Sequence, residues 1–320
     1  MNLTTNIPFS KANFPMDYSS EIVLLGSCFV ENIGNKLAYF KFKNLLNPFG
    51  ILFHPKAIEV LIANAVNNKG YTEEDVFFKN EQWHCFDAHS KVSHPLKNEL
   101  VDKLNNRIHV TKQQLNNSTH IIITLGTAWV YRFTKTNRIV SNCHKVPQKE
   151  FQKELLAVDD IVKSLETMTD LIKSVNPSTV IIFTVSPVRH IKDGFVENTQ
   201  SKSHLIAAIH QFLKEKPSIS NGNSFYFPSY EIMMDELRDY RFYDEDMVHP
   251  NKIAINYIWE KFMLVWISKE TFKTMDDVDA VQKGLLHKPF NPNSEAYQKF
   301  IQQLDAKKAL LQAKYSHITF

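Results

Sequence analysis

Glu21-Ile-Val-Leu-Leu-Gly-Ser-Cys-Phe-Val-Glu-Asn-Ile-Gly34 decides the fold. Ile22 to Leu25 form a short apolar run, suited to a strand buried on both faces. Beyond Cys28 the apolar residues fall at Phe29, Ile33 and Leu37, four apart, which is helical spacing. A strand therefore passes into a helix through Gly26-Ser27-Cys28. Such a turn lifts a side chain off the end of a sheet and sets it at a helix N-terminus. A thiol placed there is expected to be acidified by the helix dipole, and the position suits a nucleophile. The alternative is a packed, inert cysteine, the common fate of this residue.

The same rhythm recurs along the chain. Lys43 to Leu46 reads as a second strand, closed by the turn Asn47-Pro-Phe-Gly50. Pro55 suits the first position of a helix with Ile58, Leu61, Ile62 and Ala65 on one face. Three more strands are expected at His120–Thr124, Val180–Val185 and Ser224–Phe227. Helices are expected from Leu96 to Ile108, from Phe151 to Val175 as one long element, around Leu205–Leu213, at Tyr230–Leu237 and from Pro250 to about Ile267. Strands alternating with helices predict a parallel, doubly wound sheet. The expected fold is a three-layer α/β/α domain of flavodoxin-like strand order over residues 1–268, with strands ending near 25, 46, 124, 185 and 227. Residues 1–20 read as irregular. Residues 70–97 break the rhythm and read as a lid-like insertion holding a hairpin around Asn80-Glu81. A second hairpin is expected over Trp129–Thr134 and Arg138–Ser141. Residues 269–320 read as a helical extension. Its amphipathic helix, Ser294 to Tyr315, would bury one stripe on the domain or on a second copy of the chain, giving a homo-oligomer.

Composition narrows the function. A net charge of +3 with no long basic run gives no footprint for nucleic acid. No segment reaches the ~18 apolar residues of a membrane span. The N-terminus lacks the pattern of a secretory signal, and three cysteines, Cys28, Cys85 and Cys143, are an odd number without framework spacing. A protein of the reducing cytoplasm is expected. Only eight glycines occur in 320 residues, against about 7% in ordinary domains. Gly26, Gly50 and Gly126, each at or just past a strand run, are thus positions where backbone geometry asks for glycine.

In a parallel sheet of this kind, ligands bind beyond the carboxyl ends of the strands. Gly26-Ser-Cys28, Gly50, Gly126-Thr-Ala128, Ser186 and the loop to His249 should converge there. Asp246 and His249, three residues apart, can pair so that the carboxylate fixes one imidazole nitrogen while the other faces a nucleophile. Phosphate-loop, dinucleotide, Gly-x-Ser-x-Gly and His-Glu-x-x-His patterns are absent. The segment His84-Cys-Phe-Asp-Ala-His89, with His94, holds metal-ligating side chains, but in no closed zinc spacing. Asn142-Cys143-His144 is a second Cys/His group, or a turn lining the pocket. No cofactor is required and no metal is assigned.

Gly26-Ser27-Cys28-Phe29 resembles the signature of the GSCFA family, which is itself similar to the SGNH (GDSL-like) hydrolases. Asn47-Pro-Phe-Gly-Ile51, Leu125-Gly-Thr127, Ser186-Pro-Val-Arg-His190 with Asp193-Gly194, and Asp246-x-x-His249 extend the resemblance over residues 20–260. It implies hydrolysis or transfer of an acyl ester, often on carbohydrate. Cys28 would take the serine nucleophile's place, with Ser27 as its reserve, His249 as base and Asp246 as orienter. The oxyanion would be held by N–H groups of Cys28, Gly50 and Gly126. Asn47, Trp129, Asn142, His144, Arg189 and His190 would line the substrate site, and Asn142 or Trp129 would supply a missing side-chain donor. That donor is missing because the SGNH Gly-x-Asn reads Gly126-Thr127-Ala128. Two rival expectations remain: a binding protein without turnover, and a metal-dependent enzyme built on His84–His94.

Overall fold

The structure, a computed structural model, describes residues 5–215 and 223–320. Residues 1–4 of the stretch read as irregular lie outside them. In chain order the elements are β1 (Glu21–Gly26), α1 (Cys28–Tyr39), β2 (Lys43–Leu46), α2 (Pro55–Val66), β3 (Val76–Lys79), β4 (Gln82–Cys85), α3 (Lys97–Asn117), β5 (His120–Leu125), β6 (Trp129–Phe133), β7 (Arg138–Val140), β8 (Phe151–Leu155), α4 (Val158–Val175), β9 (Val180–Val185), α5 (Phe195–Glu215), β10 (Ser224–Tyr226), α6 (Ser229–Glu231), α7 (Lys252–Trp266), α8 (Phe272–Leu285) and α9 (Glu295–Lys314).

Five strands form one parallel sheet in the order β10-β9-β5-β1-β2. Counting only these strands, the order is 2-1-3-4-5, which is flavodoxin-like. Period-two alternation sends Val23, Leu25, Ile121, Ile123, Ile181 and Phe183 to a core under α2, α3, α4 and α5. Ile22, Leu24, Ile122, Val180 and Ile182 go to a second core under α1, α7, α8 and α9. Both faces are covered, so the central strands read as unbroken apolar runs. The order in which strands are added reverses between β1 and β5, and Gly26 pairs with Thr124 at the carboxyl end of that junction. This is where the topology places a site.

Two smaller antiparallel sheets stand outside the main one: the β3–β4 hairpin, and a three-stranded sheet of order β7-β6-β8. The hairpin turns at Asn80-Glu81, both with positive φ. The second sheet corrects the expectation of a single helix over Phe151–Val175. Residues Phe151–Leu155 pair antiparallel with Phe133–Trp129, and the helix begins only at Val158. Phe151, Leu155 and Val158 carry helical spacing, but partner strand β6 offers a full ladder of hydrogen bonds, and tertiary pairing overrides local pattern. Residues 70–97, expected as a lid-like insertion, stand outside the main sheet and pack on the domain. Val76, Cys85, Ala88 and Val92 belong to the first core, Asp87 pairs with Arg138 of β7, and Phe77, Phe86, Phe133 and Phe151 make a chain of ring contacts between the two small sheets.

The tail packs back on the domain. α8 buries Met275, Val278 and Val281, α9 buries Leu304 and Leu311, and Ile318 is buried as well. Tyr315 stacks on Tyr18 at 4.8 Å between ring centres. No helix among the described residues is long and apolar enough to cross a membrane.

Candidate active site

The β1–α1 turn is fixed by backbone sterics. Gly26 has φ +137°, and a Cβ there would collide with the Thr124 carbonyl oxygen. Only glycine fits that conformation and that approach. Asn47, itself at φ +41°, accepts the Gly26 N–H on its Oδ1 at 2.9 Å. Ser27 donates its N–H to Thr124 O and then caps α1, so Cys28 becomes the first helical residue. Ser27 and Cys28 point in different directions. Ser27 is fully buried and its Oγ has no partner among the described residues. That removes Ser27 from the role of reserve nucleophile, since a substrate cannot reach it. Cys28 is partly exposed.

Across the edge of the sheet, the loop before α7 presents His249. Its Nε2 lies 4.0 Å from Cys28 Sγ, within reach of a hydrogen bond to sulfur. Its Nδ1–H donates to Asp246 Oδ2 at 2.6 Å. Asp246 Oδ1 accepts the backbone N–H groups of Val248 and His249, both at 2.9 Å. Those backbone hydrogen bonds, then the imidazole, pull the Asp246 carboxyl down to about 2. The tautomer follows: with Nδ1 protonated toward Asp246, a neutral His249 has its bare Nε2 toward the thiol. Met247, at φ +58°, bends the loop so that Asp246 and His249 face each other.

The expected acidification of Cys28 is not what this environment produces. Burial is the largest influence and raises the thiol above its ordinary 9.0; Lys202 and the N–H groups of Cys28 and Phe29 pull the other way, and Glu31 adds to the rise. Desolvation outweighs the helix terminus. The resting sulfur is a thiol, so attack needs His249 as a base.

Lys202 escaped the sequence reading. It lies on α5, is 1% exposed, and donates from Nζ to Gly126 O at 2.7 Å and Ser186 O at 2.8 Å. It thereby ties together the exits of β5 and β9. Burial pushes it down to about 7. Its signal was the apolar stripe of α5: stepping back from Ile209 and Leu205 by three or four residues lands on Lys202, Ser201 and Asn198, all buried.

The expected oxyanion donors are mostly engaged. Gly50, at φ +73° and packed against His89, donates its N–H to Asn47 O at 2.8 Å. Gly126 donates to Phe53 O at 2.7 Å. Neither is free, which leaves Cys28 N–H of the three. Ala128 is fully buried in the first core. Asn47 Nδ2, by contrast, is buried beside the turn with no partner among the described residues. Trp129 donates its indole N–H to Glu197 O at 3.1 Å, so it is no spare donor.

Of the remaining substrate-site candidates, Asn142 lines a cavity of about 340 Å³ with Phe53, His54, Tyr131, Cys143 and Lys192. That cavity includes neither Cys28 nor His249. His144 is buried, bonded through Nε2 to Cys85 O and through Nδ1 to Ser90 Oγ, and belongs to the scaffold. Arg189 and His190 follow β9 near the site. His190 sits 6.2 Å from the Phe53 ring, and burial, with Lys202 nearby, pushes it down to about 4, so it is neutral.

Six of the ten buried side-chain atoms without a partner among the described residues lie at these strand exits: Ser27 Oγ, Asn47 Nδ2, Thr124 Oγ1, Arg189 Nε, His190 Nε2 and Asn198 Nδ2. Buried polar groups are normally paired, so this concentration marks the functional end of the sheet. The His84–His94 segment does not make a metal centre. His84 bonds Ser93 and Lys79 O, Asp87 pairs with Arg138, and no three ligating side chains among the described residues converge.

The GSCFA family model matches residues 21–262, from the start of β1 into α7. The chain belongs to the GSCFA family. A second model, the C-terminal domain of GSCFA domain proteins, matches residues 278–320, so the tail of this GSCFA chain is a family feature too. No curated protein matches the chain. The matched span contains both the β1–α1 turn with Cys28 and the loop with Asp246 and His249.

Proposed function

We propose that this GSCFA protein is an SGNH-like acyl-ester hydrolase or acyltransferase with a cysteine nucleophile. The observation that carries the proposal is the line Cys28 Sγ, His249 Nε2, His249 Nδ1, Asp246 Oδ2, with spacings of 4.0 and 2.6 Å. His249 takes the Cys28 proton as the sulfur attacks the acyl carbon. It passes that proton to the departing alcohol as the C–O bond breaks, leaving a thioester. Water, or an acceptor hydroxyl, then gives His249 a proton and attacks the thioester, releasing Cys28 as the thiol. Cys28 N–H, the one member of the three expected donors not taken by a carbonyl, is the donor for the oxyanion. No cofactor enters this scheme. The acyl substrate is a small molecule or a carbohydrate.

The test is hydrolysis of 4-nitrophenyl acetate. Cys28→Ala should abolish turnover above the solvent rate, and Ser27→Ala should retain it. Full activity in Cys28→Ala would overturn the assignment. A second reading, recognition of an acylated ligand without turnover, is favoured by one observation: the Gly50 and Gly126 N–H groups are both taken by carbonyls. Ester binding with no turnover in the parent protein would select it.

A further inference from the structure

A cleft of about 500 Å³ opens on the far side of Asp246, lined by Arg189, Arg238, Asp239, Tyr240, Tyr243 and Met247, with Ile191, Phe195 and Met233 among its other walls. Two features set it apart. Ile191, Phe195, Tyr240 and Met247 are large apolar or aromatic side chains left exposed together around one opening. Such clustering marks a binding surface. The charges are also unbalanced in a specific way. Asp239 is matched by Arg241, whose Nη2 lies 2.9 Å from it, and Asp246 is matched by His249 and two backbone N–H groups. Arg189 and Arg238 have no hydrogen bond or ion pair among the described residues, and Arg189 Nε is buried. A partly buried guanidinium is ordinarily paired. Both acids of this cleft are satisfied and both arginines are open.

We infer that this cleft is a subsite for an anionic, partly apolar ligand, whose carboxylate or phosphate lies on Arg189 and Arg238 and whose ring or chain lies on Tyr240, Tyr243 and Met247. Guanidinium forks suit both anions, and aromatic faces suit a sugar ring or an acyl chain. Through Asp246 the cleft adjoins the Cys28–His249 pair, so it assigns an anionic class to the ester. That link rests on the acyl-transfer reading above; the anion site itself does not.

The test is calorimetry on full-length Cys28→Ala protein with three probes: 4-nitrobenzoate, 4-nitrophenyl phosphate and the uncharged 4-nitrobenzamide. At least one anion should bind, and the amide should bind roughly tenfold more weakly or worse. Arg189→Gln and Arg238→Gln should each weaken the preferred anion by roughly tenfold, while Lys288→Gln, in the tail, should leave it unchanged. Arg238 is exposed, so its variant keeps the test valid even if Arg189→Gln folds poorly. Preference for benzoate assigns a carboxylate and preference for the phosphate ester assigns a phosphate. Equal binding of the amide, affinity insensitive to both substitutions, or no binding overturns the subsite. Arginine-dependent binding in a protein that turns over no ester keeps the subsite and removes the thiol chemistry. Turnover of neutral esters with no anion binding does the reverse.

Discussion

At Cys28 two effects compete, and the outcome sets how the site must work. The first turn of α1 and buried Lys202 favour thiolate, but the sulfur has lost enough water that burial wins, and its pKa is raised. Alkylation by iodoacetamide should therefore climb with pH through and beyond 9, with no plateau at neutral pH. Lys202, lowered to about 7, carries no charge through that rise, so Lys202→Met should leave the profile above pH 8 in place; a rise moved to higher pH by this substitution would show that the lysine keeps its proton beside the sulfur. Asp246 has a different task. It holds His249 with Nδ1 protonated, and Asp246→Asn allows the opposite tautomer, which presents N–H rather than a lone pair to the thiol. Ester turnover should fall by roughly 10²–10⁴-fold, with little change in melting temperature, because the pair is about half exposed. A loss of less than about threefold would mean that Asp246 is only a loop residue. Asp-x-x-His was readable in the sequence because both residues share one short loop. The failed acidification was not readable, since burial of a side chain depends on what packs over it.

At the scale of elements, the strand exits are held by contacts that join distant segments. Strands β1, β5 and β9 were legible because each buries alternate residues in two cores and so reads as a continuous apolar run. β8 was not, because its hydrogen-bond partner lies about twenty residues away, across a loop, and its spacing runs into α4. Lys202 was hidden by chemistry: a lysine in a helix is ordinarily solvated, and only its position on the buried stripe of α5 betrays it. Its two bonds tie Gly126 to Ser186, so Lys202→Met should destabilise the fold by about 2–4 kcal/mol, leaving two buried carbonyls unpaired. The pH dependence follows from its pKa, lowered from 10.5 to about 7. Between those values the unfolded chain binds a proton that the folded protein does not, so the parent gains stability as pH rises from 7 toward 10.5. Below 7 the parent bears the full cost of a buried charge. The deficit of Lys202→Met should thus be larger at pH 9 than at pH 6.5, as measured by urea unfolding. Gly26→Ala tests the same junction from the other side. With φ at +137° and the Thr124 carbonyl in the way, it should cost about 3 kcal/mol or more.

Over the whole molecule, the site and the tail occupy opposite ends of the sheet. Cys28, Gly126 and Ser186 follow the carboxyl ends of their strands, whereas the tail closes over Tyr18 and Lys41, which precede β1 and β2. His317 Nε2 bonds Lys41 O at 3.2 Å, and Phe320 lies under the Lys41 ammonium. The amphipathic stripe of α9 is spent within the chain, on α8 and the second core, so the helix expected to bury a stripe does so against its own domain. A chain ending at Leu285 would lose the burial of Leu304, Leu311 and Ile318 and would uncover Val281. At about 1.5–3 kcal/mol for each large side chain, the loss is roughly 5 kcal/mol or more. Thermal unfolding should therefore begin well below that of the full chain. The separation of the two ends makes a sharper prediction: at a temperature where the shortened chain is still folded, Cys28 should alkylate at the parent rate and any ester turnover should persist. A shortened chain as stable as the parent would mean that the tail contributes nothing to the second core. A folded one with an unreactive Cys28 would mean that α1, which buries Phe29, Val30, Ile33 and Leu37 in that same core, transmits the state of the tail to the nucleophile at its own N-terminus.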